Sequence, residues 1–598
     1  MMSHISAVMQ TLIIYLLIGA VYYGWGKAAA HLLGISKQTS RSDITLLWLG
    51  WAFTLVILQL SHFLFPLTAS IVVPVFLTGV VFSAPQIVNV LRHFSQQRFP
   101  VMRTATLVII MLAGASWIAS RSMMPPTNTD SGGYHFNAIR WINAFPIVPG
   151  LGNLHGRLAF NQAFFPYAAA LNFSPIFEHG RSLANSFLLL LTIASCAQFL
   201  WPVLHRPSLL AEAHPFHYAS VLYALPILVF LTLNSDGLAS PTPDLASTLL
   251  QLMMFVTLVQ GVAEWREGKG QQDYRATVLA ILAVTAITIK LSNLAFSAVI
   301  VSLCLACSWR TSSGRMQGLL RILVSTSVVL LVWSVRGFIL SGCPLYPSTI
   351  GHVSVDWAVP IAKVVEEANA VYGYARQPNT HWRDALSGWE WFGPWRSRIS
   401  GNIVGVVYPL VLTGVFCIVA VISGWLSFSK KRGGLGHLEW VILSPVVIGL
   451  LFWFFTAPDP RFAHALFWCL SLSAAALFLC SIQPLLKKHW FMIVLCGVFI
   501  IANLLFIRNA VKMRYRLKEV SSSGWHSIMP APLIQKQTSS GLVVFTPQPD
   551  GACWDSPLPC TLYFNPDLRL RIPGKLVLGF TVLDRDQYGE RGHDSGTH

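Results

Sequence analysis

The sequence predicts an all-α polytopic transmembrane bundle with a small β-rich C-terminal domain, and three observations lead to it. Hydrophobic residues make up 54% of the 598 residues. Charged residues make up only 11%, whereas soluble domains carry about 25%. Apolar stretches of roughly 17–25 residues, long enough to cross a bilayer as a helix, recur through most of the chain. A soluble enzyme and a disordered chain are therefore excluded.

The apolar stretches predict about 14 spans. They lie near 8–31, 43–62, 70–92, 104–120, 182–204, 216–233, 244–263, 276–290, 293–309, 320–341, 402–428, 438–456, 461–483 and 489–507. We divide the chain into N-terminal accessory helices (1–103), a transmembrane core (104–507) with long loops at 121–181 and 342–401, and a C-terminal domain (508–598).

The net charge of +17 is best explained by topology. Alternate short loops are rich in Lys and Arg, and the other short loops hold only Lys290 and Arg461. Positive residues keep short loops cytoplasmic, so both long loops and the C-terminal domain fall outside. A miscount by one helix would place the C-terminal domain inside. Because the basic residues are scattered and form no stripe, a nucleic-acid partner is not expected.

The C-terminal domain differs from the rest in composition. Short β-like runs at 542–545, 561–564 and 575–582 alternate with Pro, Gly and Asp, a pattern typical of strands and turns. Cys553 and Cys560 either form a disulfide, which an oxidising exterior allows, or stay free thiols. The CxxC motif at Cys304 and Cys307 lies in an apolar span, where cysteines are most simply small hydrophobic residues.

Charged residues at the outer ends of the spans are the candidates for function, because charge is costly at membrane depth. Asp130 follows the fourth span in a Pro- and Gly-rich stretch that predicts a turn. The segment 135–145, which carries Arg140, is expected to form a short helix in the membrane interface. Asp130 is either catalytic or a cap of that helix.

A glycine-rich run at 149–161 comes next. Its glycines allow the backbone to approach a ligand closely, and Asn153, His155, Arg157 and Asn161 supply groups suited to phosphate or sugar hydroxyls. The run lacks the GK[ST] of a P-loop. The alternative is a re-entrant structural loop whose polar groups satisfy one another.

Charged residues at later span ends complete the candidate set. Asp244 opens an apolar helix and is either functional or a cap. Arg336, shortly before Tyr346, either binds a lipid phosphate or snorkels to the headgroups. Asp459 and Arg461 lie in a Pro-locked outer turn and either meet a substrate or pair with each other. Lys290 and His464 are further candidates.

Five strings carry a resemblance to known proteins. They are RWINAFPIVPGLGNLHGRLAFN, SPTPDL, RGFILSGCPLYPS, TAPDPRFA and CWDSPLPCTLYFNP, and they resemble those of a family of bacterial integral membrane proteins over roughly residues 104–573. More broadly, Asp130, the second acid at a later outer span end and the C-terminal outside domain resemble the GT-C glycosyltransferase superfamily. About three spans precede the one that leads to Asp130, where the superfamily typically has one. They are either an accessory addition or a sign that the match is partial.

The resemblance implies inverting transfer of a sugar from a polyprenyl-phosphate donor to a glycan or lipid acceptor, with Asp130 as general base. Arg157, Arg336, Arg461 and His155 are then the candidates that stabilise the phosphate leaving group. The full expected substrate-binding set is Tyr134, His135, Arg140, Asn153, His155, Arg157, Asn161, Asp244, Lys290, Arg336, Tyr346, Asp459 and Arg461. The Asp130 loop has no compact Asp-x-Asp pair, so we assign no metal site, and a divalent metal cofactor stays open.

Two other functions compete with this one. A transporter or flippase of lipid-linked glycans should carry polar residues at mid-depth and internal repeats, whereas the polar motifs here gather at outer span ends. A polymerase or ligase of lipid-linked glycans would share the donor chemistry. The expected location is the bacterial inner membrane, with the active face and the C-terminal domain outside the cytoplasm.

Overall fold

The computed structural model describes residues 2–35, 44–96, 101–126, 128–205, 236–266, 272–310, 315–426, 437–481, 532–549 and 551–582. The described chain is mostly helical. Its N-terminal half contains α1 (Met2–Leu32), α2 (Thr45–Leu64), α3 (Ala69–Gln96), α4 (Val101–Ser122), α5 (Phe136–Ala144), α6 (Phe164–Leu171), α7 (Leu183–His205), α8 (Pro243–Arg266) and α9 (Gln272–Ile289).

The second half of the described chain continues with helices of more varied length. They are α10 (Leu294–Arg310), α11 (Arg315–Ser341), α12 (Ile361–Arg376), α13 (Trp382–Leu386), α14 (Phe392–Gly401), α15 (Tyr408–Leu426), α16 (His437–Thr456), α17 (Pro460–Ala463) and α18 (Leu466–Ser481).

Eight helices within the described residues are long and apolar enough to cross a membrane. These candidate spans are His4–Leu32, Thr45–Leu64, Ala69–Asn89, Gly180–Gln198, Pro243–Val262, Leu291–Arg310, Arg315–Ser341 and Ile403–Ile422. Three further apolar helices, Tyr274–Ile289, Trp440–Thr456 and Leu466–Phe478, are shorter. The prediction of a mostly helical chain with several helices able to span a membrane is confirmed, and the count of about 14 spans is not. The predicted spans near 216–233 and 489–507 lie outside the described residues.

The helix predicted after Asp130 exists as α5, but its position differs from the expectation. Both apolar and polar side chains of α5 are buried, among them Phe136, Ile139, Trp141 and Asn143. Asn143 donates hydrogen bonds to the carbonyls of Leu67 and Ala169. Since protein covers the helix, its apolar side chains do not contact lipid. The periodic apolar face that suggested membrane contact is used for internal packing.

The C-terminal domain contains two small antiparallel sheets. In the first, β1 (Leu533–Gln537) pairs with β2 (Val543–Pro547), and in the second, β3 (Leu568–Leu570) pairs with β4 (Phe580–Val582). The predicted strand at 561–564 was wrong, since this segment is irregular. Only the end of the predicted run 575–582 is a strand, because a short 3₁₀ turn occupies 576–578. Cys553 and Cys560 form a disulfide.

The C-terminal domain docks on the segment that follows Asp130. The backbone N–H of Trp554 donates to the carbonyl of Gly132 at 2.8 Å, and the amide of Asn137 donates to the carbonyl of Cys560 at 2.8 Å. A Cβ atom at Gly132 would lie 2.5 Å from the Trp554 ring, so only glycine permits this approach. The disulfide-closed segment 553–560 therefore holds the chain next to Asp130 in place.

Candidate functional site

A cavity of about 210 Å³ lies where one end of α8, α9 and α16 meets the loop that follows α4. Two carboxylates and three cations line it, namely Asp130, Asp244, Arg157, Lys290 and Arg461. Tyr134, His135 and Tyr346, predicted from the sequence, also line it. Apolar side chains form much of the remaining wall, including Ile287, Ile289, Leu291, Phe452 and Phe462. The cavity is thus a charged chamber with apolar walls at the ends of membrane-type helices.

Asp130 is the centre of the charge network. One carboxylate oxygen accepts a hydrogen bond from Nη1 of Arg157 at 3.0 Å, and the other accepts one from Nη1 of Arg461 at 3.0 Å. The side chain makes no capping hydrogen bond to the turn that follows it, so the capping alternative is wrong. That turn, Ser131–His135, is a π-helix, a wide turn often found at functional sites.

The charge state of Asp130 follows from this arrangement. Burial by itself would raise the pKa of the carboxyl, but the charges around it, chiefly Arg157, outweigh burial and hold the pKa below its usual range. Asp130 is therefore ionised at neutral pH. A carboxylate offers about four lone-pair positions, so an oxygen that already accepts from an arginine can accept one more hydrogen bond from a ligand.

Arg157 is positioned by its own turn and by two acids. Nδ1 of His155 accepts a hydrogen bond from the backbone N–H of Arg157 at 3.2 Å, which starts the 3₁₀ turn Gly156–Ala159. Nε of Arg157 lies 3.7 Å from Oε1 of Glu367 on α12. A Cβ atom at Gly156 would lie 2.6 Å from Oε2 of Glu367, so this glycine makes room for the second acid.

The pKa of Glu367 is shifted in the opposite direction from that of Asp130. Burial raises the pKa of the Glu367 carboxyl, although Arg157 opposes the shift. His155 is also affected by burial, which lowers the pKa of its ring to about 3, so the ring is neutral at physiological pH. Arg157 therefore lies between one firmly ionised acid and one that protonates more easily.

Arg461 is held by the turn that the sequence singled out. The carboxylate of Asp459 accepts the backbone N–H of Arg461 at 2.9 Å, and the same oxygen lies 3.5 Å from Nε of Arg461. The indole N–H of Trp453 donates to the carbonyl of Asp459 at 2.7 Å. Arg461 thus pairs with Asp459, as one alternative expected, and at the same time reaches Asp130.

Asp244 and Lys290 form a second ion pair on the cavity wall. Asp244 is in the first turn of α8 and Lys290 directly follows α9, so two helix ends bring them together. The ammonium group of Lys290 lies 4.3 Å from the centre of the Phe462 ring. His464 interacts with Ser292 at 2.7 Å, and burial lowers the pKa of its ring to about 3. His464 is therefore a neutral neighbour of this pair.

Six residues of the predicted substrate-binding set do not line the cavity, namely Arg140, Asn153, His155, Asn161, Arg336 and Asp459. Arg336 is buried and donates to the side-chain oxygen of Asn161 at 2.7 Å, beside a separate cavity of about 20 Å³. It does not snorkel to a membrane surface. Asn153 donates to the carbonyl of Trp357 at 2.9 Å, and Arg140 pairs with Asp555 at 3.2 Å. In this structure these side chains connect parts of the fold.

Sequence reasoning missed two residues of the site, Glu367 and Tyr374. The guanidinium carbon of Arg461 lies 5.4 Å from the centre of the Tyr374 ring, a cation–π distance. Both residues are on α12, in a loop from which no candidate was taken except Tyr346. Val364, Glu367, Val371 and Tyr374 are three or four residues apart and follow a helical face. The carboxylate of Glu367 on that helical face could have identified it as a candidate from the sequence.

The described part of the chain shows no group of three or more His, Cys, Asp or Glu residues arranged to hold a metal ion.

Comparison with known proteins identifies the family. The model of the family described as "Domain of unknown function (DUF8201)" matches residues 9–468, and the chain belongs to this family. None of the curated proteins and none of the solved structures gives a significant match.

Proposed function

We propose that this DUF8201 member is a membrane glycosyltransferase that moves a sugar from a polyprenyl-phosphate donor to a glycan or lipid acceptor of the cell envelope. The observation that carries the proposal is the placement of Asp130 between Arg157 and Arg461, 3.0 Å from each, in a cavity at the ends of apolar helices. This transfer needs at least a general base and, beside it, cations that bind the phosphate.

The charges of the cavity suit a phosphate-linked donor. Arg157, Arg461 and Lys290 provide fork-shaped or mobile donors for phosphate oxygens. Each is paired with a carboxylate. Because an arginine has five N–H donors and a lysine has three, each can bind a phosphate oxygen and keep its carboxylate partner. The apolar wall formed by residues such as Ile289 and Phe452 suits the first isoprene units of the lipid.

The proposed reaction is a single displacement with inversion. The acceptor hydroxyl oxygen forms a bond to the anomeric carbon of the sugar. The bond from that carbon to the phosphate oxygen breaks, and its electron pair stays on the phosphate, where arginine N–H groups stabilise it. The hydroxyl proton passes to Asp130. Since the pKa of Asp130 is lowered, the carboxylate is a weak base and accepts the proton late, when the hydroxyl has become acidic through bond formation.

The proposed orientation places this cavity outside the cytoplasm, at the outer face of the bacterial inner membrane. The support is the distribution of basic residues among the short loops. Lipid-linked sugars presented at that face would enter from the bilayer, and acceptors from the aqueous side.

The test is sugar transfer by reconstituted full-length protein, with Asp130→Asn and Asp384→Asn compared. Asp384 is an exposed carboxylate on α13 and serves as the matched control. We expect Asp130→Asn to lower kcat by about 10²–10⁴, the usual contribution of a general base, and Asp384→Asn to leave it unchanged. Equal rates for Asp130→Asn and wild type with polyprenyl-phosphate sugars would refute the base assignment. Absence of transfer by wild type from a panel of such donors, with lipid translocation instead, would support the transporter.

A further inference from the structure

A second cavity, of about 280 Å³, lies at the other end of the same helices. Its wall comes from the last turns of α8 and α10, the first turns of α9, and Val441 of α16. Along α8 it begins at Thr257, and Asp244 of the first cavity lies 13 residues earlier in the chain. At 1.5 Å per residue the two are about 20 Å apart. The second cavity is therefore separate from the site described above.

The wall of this cavity is apolar and made of small residues. Gly261, Ala276, Ala306, Cys304 and Cys307 contribute to it, beside leucines such as Leu279. Cys304 and Cys307 are one helical turn apart, so they share a face of α10. The CxxC motif thus provides two narrow side chains in the wall of a space that a hydrocarbon chain can fill.

Two arginines of the described chain, Arg275 and Arg310, line this cavity. Arg310 is exposed and Arg275 partly buried, so at least one guanidinium remains accessible at the mouth. Arginine forks recognise phosphate oxygens, and basic pockets between membrane helices are typical binding sites for anionic headgroups.

We propose that this second cavity binds an anionic lipid with a phosphate headgroup. The phosphate lies between Arg275 and Arg310, and one hydrocarbon chain follows the wall of small residues along α10. The site is in the leaflet opposite to the Asp130 cavity. A free phosphate would leave the apolar wall unused, whereas a lipid fills both parts. The proposal does not depend on the sugar-transfer function, since it uses none of the residues of that site.

The experiment is native mass spectrometry of the purified full-length protein, released from detergent and titrated with defined lipids. The probes are phosphatidylglycerol, polyprenyl phosphate, phosphatidylethanolamine and inorganic phosphate. We expect both anionic lipids to bind, with the tighter one identifying the natural source, and at least tenfold weaker binding of phosphatidylethanolamine. Retention of inorganic phosphate with the same affinity as the lipids would overturn the lipid assignment.

Four variants locate the site. Arg275→Gln and Arg310→Gln should each weaken binding of the anionic lipid about fivefold, as expected for one basic residue near a membrane surface. Arg315→Gln is the matched control, because Arg315 is exposed at the same end of the bundle and does not line the cavity, and it should change binding less than twofold. Ala306→Trp, at an exposed helix position, should fill the space and weaken binding of every lipid. Equal losses for Arg310→Gln and Arg315→Gln, or unchanged binding in Ala306→Trp, would overturn the proposal.

Discussion

The two cavities lie at opposite ends of α8, α9 and α16 and differ in the charged residues that line them. The first contains acids and cations that pair with each other, such as Asp130 with Arg461 and Asp244 with Lys290. Two arginines of the described chain line the second. A balanced set can stay buried without a ligand, since each charge has a partner. The same helices thus carry one end whose charges pair within the protein and another end where we propose that an anionic lipid binds beside the exposed Arg310.

The largest effect should come from breaking the balance of the first cavity. Asp244→Asn leaves Lys290, whose side chain is 16% exposed, without its carboxylate. We expect the free energy of unfolding in detergent to fall by about 3 kcal/mol, because an uncompensated buried charge is costly. Arg310→Gln at the second cavity should change it by less than about 0.5 kcal/mol, as is usual for exposed positions.

The double variant Asp244→Asn/Lys290→Gln provides the control for this prediction. It removes both charges and should recover more than half of the lost stability. If Asp244→Asn and Arg310→Gln lower the free energy of unfolding equally, the charges of the two cavities do not differ in their contribution to stability.

A smaller effect is expected where the C-terminal domain holds the first cavity. Asp555 pairs with Arg181 at 2.7 Å and with Arg140 at 3.2 Å, and the Arg181 side chain is only 9% exposed. The pKa of Asp555 lies below its usual range because these arginines outweigh burial. Asp555→Ala should therefore cost about 2 kcal/mol and make the C-terminal domain more sensitive to protease.

The neighbouring ion pair of Arg571 with Asp356 is the matched control. The Asp356 side chain is 60% exposed, so Asp356→Ala should cost no more than about 0.5 kcal/mol. A cost for Asp356→Ala as large as that for Asp555→Ala would mean that docking depends on the number of ion pairs and not on their burial.

The smallest effect concerns Glu367, the acid with a raised pKa. Its stabilising contribution is present when it is protonated, below the unfolded pKa, and is lost as the pH rises through the folded pKa. Glu367→Gln should therefore stabilise the protein slightly at pH 7 and have no effect at acid pH. The measurement is chemical unfolding at both pH values.

Activity gives a second readout for Glu367. In the wild type, protonation of Glu367 as the pH falls removes one charged partner of Arg157. The decrease of kcat at low pH, its acid limb, should therefore follow the protonation of Glu367. Glu367→Gln should lower the rate several-fold at pH 7 and move the acid limb to lower pH, where Asp130 protonates. Glu366→Gln, whose side chain is 51% exposed, should leave both the rate and the limb unchanged. An unchanged acid limb in Glu367→Gln would contradict the assignment.

Much of the first cavity could be predicted because charged residues are scarce in this chain and several of them line the cavity. In a chain with so few charged residues, Asp130, Asp244, Lys290 and Arg461 were identifiable as charges at span ends and Arg157 by its glycine-rich run, and all five line one cavity. What the sequence could not supply is which of them pair. Asp130 and Arg461 are 331 residues apart, and only the packing of the helices decides that they meet.

Arg336 was predicted for the wrong place and Glu367 was not predicted, for different physical reasons. Arg336 had the right residue type and depth, but the orientation of α11 aims it at Asn161. Glu367 stands beside Glu366 in a stretch typical of a solvated helix surface, but it is partly buried and its Oε2 would lie 2.6 Å from a Cβ atom at Gly156. Helix existence follows from local hydropathy, whereas the face that each helix presents depends on all its neighbours.

The docking of the C-terminal domain sets an order of events during synthesis. Asn137 and its partner Cys560 are 423 residues apart in the chain, so the segment beside Asp130 is made long before the residues that hold it. At 5–20 residues per second the delay is about 20 to 85 seconds. During that time Asn137 and Gly132 must find temporary partners. A nascent chain released before residue 553 carries every charge of the cavity, but it lacks the disulfide-closed segment 553–560 that holds the chain next to Asp130.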